Sequence, residues 1–479
     1  MSLYIRGELA VKMQLDDLGT TNTEFPLPLN ISQALTEEFL EECLSKYGIS
    51  VERPVTATNV TQDASGVTTT LEMPEGKSET VRSKYVVGCD GAHSVVRHAA
   101  KNLTFEGAAY PQDFMLCDAH LRDSNIPQDR ISLHLGRTGV LGMFPMNDSV
   151  VRIFGSKQQV VADTQDEPTL EQFQTFFADM TPPDAGTLHD PIWLARFRLH
   201  HRCVNSYREG RLFVAGDAAH IHSPAGGQGM NTGIQDAINL GWKLAHALAL
   251  QSQPQPDEAK ADALLDTYSA ERLPVGLALL RGTDRIFTFF STTNRFLIPL
   301  RNLLVRYLIP LVVRSRWLRH NFFLFMSEFG INYRGCSGIV GTATGFRGPV
   351  RGGDRLPDGR VLAEDGETGL QRVCVGAEEH LLLFAGVGGA GLKGVLGEEE
   401  LKAAGERVVK AMKSEVRVHF IAGGGKPGEG AEWYTDPGGA LHAQFGFGKP
   451  GYVLVRPDGY VAHIGPLAKL DQLLLFLEG

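Results

Sequence analysis

The sequence predicts an α/β fold interrupted by an antiparallel sheet and followed by a glycine-rich C-terminal module. Three stretches carry that prediction. From Arg211 to Ala249, the apolar strand Leu212-Phe213-Val214-Ala215 stops at Gly216-Asp217 and crosses a loop rich in Pro and Gly. A helix follows from Met230 or Asn231, with Ile234, Ala237, Ile238, Gly241, Leu244, Ala245 and Leu248 on one face. A second strand, Tyr85-Val86-Val87-Gly88, runs into Asp90-Gly91 and a short helix carrying Ser94 and Arg97. Between them, residues 103–207 alternate as antiparallel strands do: Ile131 to Leu135, Val140 to Met146 and Val150 to Phe154 are separated by Gly136-Arg137-Thr138-Gly139 and Asn147-Asp148-Ser149.

The first stretch has the build of a binding device. Asp217 lies where a strand ends, and open α/β folds take ligands beyond the carboxyl ends of their strands. Glycines leave backbone N–H groups uncovered, and the helix N-terminus adds a fixed positive end. The matching ligand is polyol-like on one side and electron-rich on the other. An ordinary strand–loop–helix explains the hydrophobic spacing but not Gly-Asp, Pro224, Gly226-Gly227-Gln228-Gly229 and Asn231 arriving together. His220 and His222 lack a third Cys or carboxylate partner, so no metal site is expected. In the Asp-Gly stretch, Asp90 can hold loop amides while Arg97 presents a fork to phosphate or to Asp90.

Elsewhere the chain reads in order. Ile31 to Glu37 opens a helix with Leu40, Cys43 and Leu44 on its apolar face and Thr36 as candidate cap; Gly48 closes it. Strands follow over Val55 to Val60 and Val67 to Leu71. A helix after residue 165 carries Leu170, Phe173, Phe177 and Met180. Met143, Phe144 and Phe197 read as core. The helix Ala259 to Leu273 contains Tyr268-x-x-Glu271-Arg272, with Arg272 expected to tie it to neighbouring carbonyls or acids.

Composition narrows the function. The chain has 479 residues, 43% of them hydrophobic, enough for two or three domains. A formal charge of −9 argues against nucleic acid. Its six cysteines lie far apart and form no CxxC, so neither a zinc site nor a disulfide framework is suggested, and a reducing, cytoplasmic setting is the default. The start, MSLYIRGELA, has no apolar signal segment.

The run GDAAHIHSPAGGQGMNTGIQDAINLGWKLA resembles the second flavin-binding motif of the class A, NAD(P)H-dependent aromatic-ring flavoprotein monooxygenases, the p-hydroxybenzoate and phenol hydroxylase family. Asp90-Gly91 and Tyr268-x-x-Glu271-Arg272 resemble that family's other motifs. The resemblance implies a Rossmann-like FAD-binding domain (residues 1–102 and 206–285) and an inserted antiparallel substrate domain (103–205). A helical connector (286–336) and a thioredoxin-like C-terminal domain (337–479) would follow. The family's GxGxxG βαβ unit has no counterpart here, so the FAD domain is expected to be N-terminally truncated.

By resemblance, Asp217 and Gln33 would meet the ribityl chain of FAD, and Asp90, Gly91 and Arg97 the diphosphate. Gly216, Gly227, Gly229, Met230 and Asn231 would frame the ring's pyrimidine edge, and Pro224 would shape the reacting face. The implied activity is hydroxylation of a phenolic or polyketide-like aromatic ring by O2 through a flavin hydroperoxide, with NADPH or NADH as reductant. The competing class is a truncated, non-catalytic paralogue acting as an interaction protein.

Two segments need separate readings. Residues 285–326 hold seven arginines, no acid and several short apolar runs. They read first as packed helices at a domain or homodimer interface and second as a basic amphipathic surface on a membrane. In the C-terminal module, Gly386-Val387-Gly388-Gly389-Ala390-Gly391 spells GxGxxG, but the helix it needs is delayed to Glu398 and the next strand, Val416 to Ala422, ends without an acid. It is a chance match. Tyr452 to Val461 reads as a hairpin turning at Pro457-Asp458-Gly459.

Overall fold

A computed structural model describes the chain except for residues 14–22, 28, 147–148, 158–167, 224–225, 337, 388–395, 413, 425–431 and 479. By its contacts the chain divides into two units. The first is Met1–Gly19, Leu27–Ile234 and Leu273–Phe322; the second is Thr20–Pro26, Gln235–Arg272 and Phe323–Gly479.

The first unit opens with a hairpin, β1 (Ser2–Ile5) and β2 (Glu8–Lys12). Helix α1 (Gln33–Ser45) and an antiparallel meander, β3 (Thr56–Asp63), β4 (Gly66–Glu72) and β5 (Ser78–Ser83), come next. Strand β6 (Val86–Gly88) leads into α2 (Val95–Ala99). The long strands β7 (Phe105–Arg122) and β11 (Thr187–Val204) bracket β8 (Ser132–Leu135), β9 (Gly139–Pro145), β10 (Val150–Lys157) and α3 (Leu170–Met180). After β12 (Arg208–Glu209), β13 (Leu212–Val214) and β14 (His220–Ile221) come the helices α4 (Gly229–Gln251) and α5 (Glu258–Ser291), whose residues are divided between the two units, then α6 (Leu297–Arg314) and α7 (Arg316–Met326), the last divided likewise.

Eight strands form one sheet in the order β14-β11-β7-β10-β9-β8-β1-β2. Helix α3 closes one face: Phe173, Phe176, Phe177 and Met180 pack on Cys117, Leu141, Met143 and Ile153, all buried. Thr169 and Gln172 start this helix as a reciprocal capping box. Met143 is core, as the alternation predicts.

A smaller sheet, ordered β12-β13-β6, positions the site. Val86–Gly88 runs parallel to Leu212–Val214 in register, so the strands leading to Asp90 and Asp217 end side by side. Leu212, Phe213 and Val214 are all buried, which is why this strand is a continuous apolar run rather than an alternating one.

Three expectations need correction. The sequence groups residues 1–13 with the cofactor-binding segments, but β1 runs parallel to β8, Ser2 opposite Ser132, and extends the large sheet. Ser32 rather than Thr36 caps α1: its Oγ accepts from Leu35 N (3.3 Å), while Thr36 Oγ1 donates to Ser32 O (3.2 Å) one turn inside. Residues 235–272, placed with 206–285, fall in the second unit because their buried charges find partners there.

Those partners form an ion network. Glu271 accepts from Lys243 Nζ (2.7 Å), Arg456 Nη1 (2.5 Å) and Asn239 Nδ2 (2.7 Å), and Arg456 also donates to Asp458. Burial pushes the Glu271 carboxyl up, but the Arg456 guanidinium and the Lys243 ammonium together outweigh it and hold the group at about 2. Lys243 is lowered to about 8 by burial, against the opposing pull of Glu271. Beside it Arg272 Nε donates to Asp236 Oδ1 (2.6 Å) and Nη1 to Tyr333 Oη (3.0 Å), the tie to an acid that the sequence predicted.

The rest of the second unit is an eight-stranded sheet: β15 (Gly341–Thr342), β16 (Arg360–Ala363), β17 (Gly366–Gly369), β18 (Glu379–Phe384), β19 (Val416–Ala422), β20 (Trp433–Thr435), β21 (Gly451–Val455) and β22 (Val461–Pro466). Its order is β15-β22-β21-β18-β19-β20-β16-β17, with α8 (Leu370–Val373), α9 (Glu398–Ala411), α10 (Ala440–Phe445) and α11 (Leu470–Glu478) interspersed along the chain. β18 and β19 are parallel, joined through α9, whereas β21 and β22 form the hairpin turning through Gly459 at φ +77°. The GxGxxG run lies largely outside the described residues; its following helix begins at Glu398, as expected.

One pair here makes folding pH-dependent. His380 Nδ1 and His419 Nε2 lie 3.0 Å apart on neighbouring strands, both buried, with Glu378 and Arg417 nearby. Burial lowers both pKa values, that of His419 to about 3. A group lowered in the fold contributes stability that is complete above its unfolded value and is lost as pH falls. Urea unfolding at pH 5.5 should therefore show about 1–3 kcal/mol less stability than at pH 7.5, an effect that His419→Phe diminishes.

Candidate cofactor site

The Gly-Asp loop is shaped by backbone constraints. Gly216 (φ +57°), Gly226 (φ +99°) and Gly227 (φ +63°) occupy left-handed conformations that side chains disfavour. Gly216 also meets the first turn of α4: a Cβ on Gly233 would lie 3.2 Å from Gly216 Cα. Gly216→Val should cost about 1–2 kcal/mol from backbone strain, read as a lower thermal midpoint together with weakened flavin uptake.

Asp217 is exposed beyond the end of β13. The first ladder bond of α4 is donated by Thr232 N to Gln228 O (2.9 Å), so the amides of Gly229, Met230 and Asn231 precede the ladder at the positive end of a 23-residue helix. Met230 and Asn231 are exposed, and Gln228 is buried beneath them. Pro224 lies outside the described residues; its neighbour Ser223 is buried, donating from Oγ to Thr283 O (3.3 Å).

The Asp-Gly loop is built as expected in one part and differently in another. Asp90 Oδ2 accepts from Val95 N (2.7 Å) and Val96 N (3.3 Å), holding the loop against α2, and Gly91 sits at φ +76°. Arg97 does not reach outward to phosphate. It is buried, donates to Ala218 O (2.9 Å) and Ala92 O (2.7 Å), and lies 4.0 Å over the Phe105 ring. Burying a guanidinium is tolerable only when its N–H groups are paired, and here two carbonyls pair them. Arg97 thus tethers the Asp-Gly loop to the Gly-Asp loop. Gln33 is exposed at the first turn of α1, donating to Glu37 Oε1 (2.8 Å).

A polar cluster beside Ser223 carries no sequence signal. Tyr110, on β7, donates from Oη to Asp284 Oδ1 (2.8 Å) on α5, and burial raises its pKa. Asp284 also lines a cavity of about 360 Å³ with Phe289, Leu300 and the buried Arg301. Tyr110 sits in an ordinary strand and Asp284 in an ordinary helix turn; only tertiary contact joins them. Among the described residues no group of three or more His, Cys, Asp or Glu could hold a metal.

Two parallel strands ending at acids, a left-handed glycine loop and an adjoining helix N-terminus define an α/β protein that binds a nucleotide-type cofactor. Comparison with known proteins names the family. A family model described as FAD binding domain matches residues 7–283, more than half the chain. The chain is 31% identical over 459 residues to 12-dehydrotetracycline 5-monooxygenase/anhydrotetracycline 6-monooxygenase of Streptomyces rimosus, covering 93% of this chain and 78% of that protein. It is likewise 31% identical to 6-methylpretetramide 4-monooxygenase of the same species, covering 100% and 80%. Among solved structures, OxyS anhydrotetracycline hydroxylase from Streptomyces rimosus superposes with a TM-score of 0.67 at 28% identity, over 96% of this chain and 82% of that one. The chain belongs to the FAD-dependent aromatic monooxygenases.

Proposed function

We propose that this chain hydroxylates a phenolic or polyketide-like aromatic compound, using O2 and NAD(P)H, with FAD held by the loop from Gly216 to Asn231. The observation that carries the reading is the exposed Asp217 set against the glycine loop and the α4 N-terminus. These residues fit a flavin: Asp217 accepts from ribityl hydroxyls, and the amides of Gly227, Gly229, Met230 and Asn231 face the edge where reduction places negative charge. FAD, when bound, accepts hydride from NAD(P)H and activates O2 for insertion into the ring. Asp90 and Gly91 keep the second loop in place for the diphosphate, and Arg97 supports both loops from beneath. Gln33 and Pro224 border the cofactor and its reacting face. A substrate domain built on the large sheet, including β1 and β2, belongs to the same reading.

We read residues 337–479 as thioredoxin-like. Support comes from the β18–α9–β19 parallel crossover, the β21–β22 hairpin and the closing helix α11. Cys374 is the one cysteine within residues 337–479, so the module has no CxxC for dithiol chemistry, and we read it as an interface or structural module.

Anaerobic mixing of the FAD-supplemented protein with NADPH or NADH tests the reading. Bleaching of protein-bound flavin absorbance, faster when a phenol is present, is expected. Protein that takes up no FAD rules it out.

A further inference from the structure

Helix α6 has two apolar faces. Ile298, Arg301 and Val305 point inward, and Val305 packs with Leu3, Val11 and Leu135 over the β1–β2 hairpin. A second stripe, Phe296, Leu300, Leu303, Tyr307 and Leu311, recurs at helical spacing on the opposite side, with exposures from 51% to 73%. Trp317, in the first turn of α7, is 71% exposed. Large side chains this exposed, in a continuous row, are uncommon on a surface that only meets water.

The charge around the stripe says what covers it. Residues 285–326 contain seven arginines and no Asp or Glu, in a chain whose formal charge is −9. Arg301 is turned inward, donating to Gly136 O (2.8 Å), and Arg306 meets Glu8 of the hairpin (3.2 Å). Arg295, Arg314 and Arg316 are exposed beside the stripe. No helix among the described residues is long and apolar enough to cross a membrane. A twofold pairing of this face with a second copy would gather the exposed arginines of both copies at one interface, with no acid from residues 285–326 to meet them. Apolar side chains bordered by cations match the interfacial layer of an anionic bilayer, where the acyl boundary takes the former and lipid phosphates the latter.

We propose that the outward face of α6, with Trp317, docks this protein on anionic phospholipid surfaces. The proposal stands apart from the cofactor reading, because none of these residues belongs to the loop Gly216 to Asn231.

Vesicle flotation tests it, using phosphatidylcholine alone and phosphatidylcholine with about one-third phosphatidylserine. The full chain should float with the anionic vesicles, stay behind with the neutral ones, and be released by salt. The variant R295Q/R314Q/R316Q should partition about a hundredfold more weakly. Leu303→Glu with Leu311→Glu, both at exposed positions, should abolish flotation without altering the circular dichroism spectrum. Absence of wild-type flotation would overturn the proposal, as would undiminished flotation of the apolar-face variant. A dimer in sedimentation that this variant splits, without lipid binding, would overturn it in favour of a second copy.

Discussion

Replacing Glu271 by alanine destabilises the second unit by about 3–5 kcal/mol, the usual cost of removing one partner from a buried charge set. Glu271, Lys243 and Arg456 are all buried, and the two cations converge on the one carboxylate. Without it, two cations lose their main acceptor in a region where water cannot replace it, leaving Asp458 as the remaining acid of Arg456. Glu271→Gln keeps the shape and one acceptor oxygen, so its cost should be smaller. Urea unfolding followed by near-ultraviolet circular dichroism separates the two; a loss below about 1 kcal/mol for the alanine variant would mean the network contributes little.

Asp217→Ala should weaken FAD binding about tenfold to a hundredfold, the value of one or two charge-assisted hydrogen bonds. The side chain is exposed at a strand end, so the fold should be kept and the thermal midpoint without cofactor unchanged. Asp217→Asn retains an acceptor and should fall between. Fluorescence titration with FAD reads the effect; equal affinity for wild type and Asp217→Ala would place the flavin elsewhere.

The parts of the site legible in sequence are those made by local chain chemistry. Gly216-Asp217, the glycine loop and the start of α4 are punctuated by residue types that the backbone itself requires, and the left-handed φ values at Gly216, Gly226 and Gly227 give the reason. Strand periodicity located β8 to β10 and the core of α3. Arg272 was legible as a tie because an arginine on a helix with an apolar face needs an acceptor, and Asp236 supplies it.

What sequence could not reach depends on which distant surfaces meet. The parallel pairing of Ser2 with Ser132 is set by tertiary packing, and a short amphipathic strand carries no mark of its partner. Arg97 reads in sequence as a fork to phosphate or to Asp90, whereas in the fold its guanidinium is buried over Phe105 and donates to the carbonyls of Ala218 and Ala92. Glu271 stood beside Arg272 in a recognised motif, yet its partners lie on α4 and at the β21–β22 turn. The Tyr110–Asp284 contact likewise joins a strand and a helix far apart in the chain.

The most direct test of the flavoprotein assignment is the origin of the oxygen in a product. The FAD-supplemented chain, given NADPH and a panel of phenols under isotopically labelled O2, should yield a hydroxylated ring carrying the label, and the Asp217→Ala variant far less of it. NADPH consumption with no labelled product from any phenol, or product oxygen drawn from water, would contradict the account.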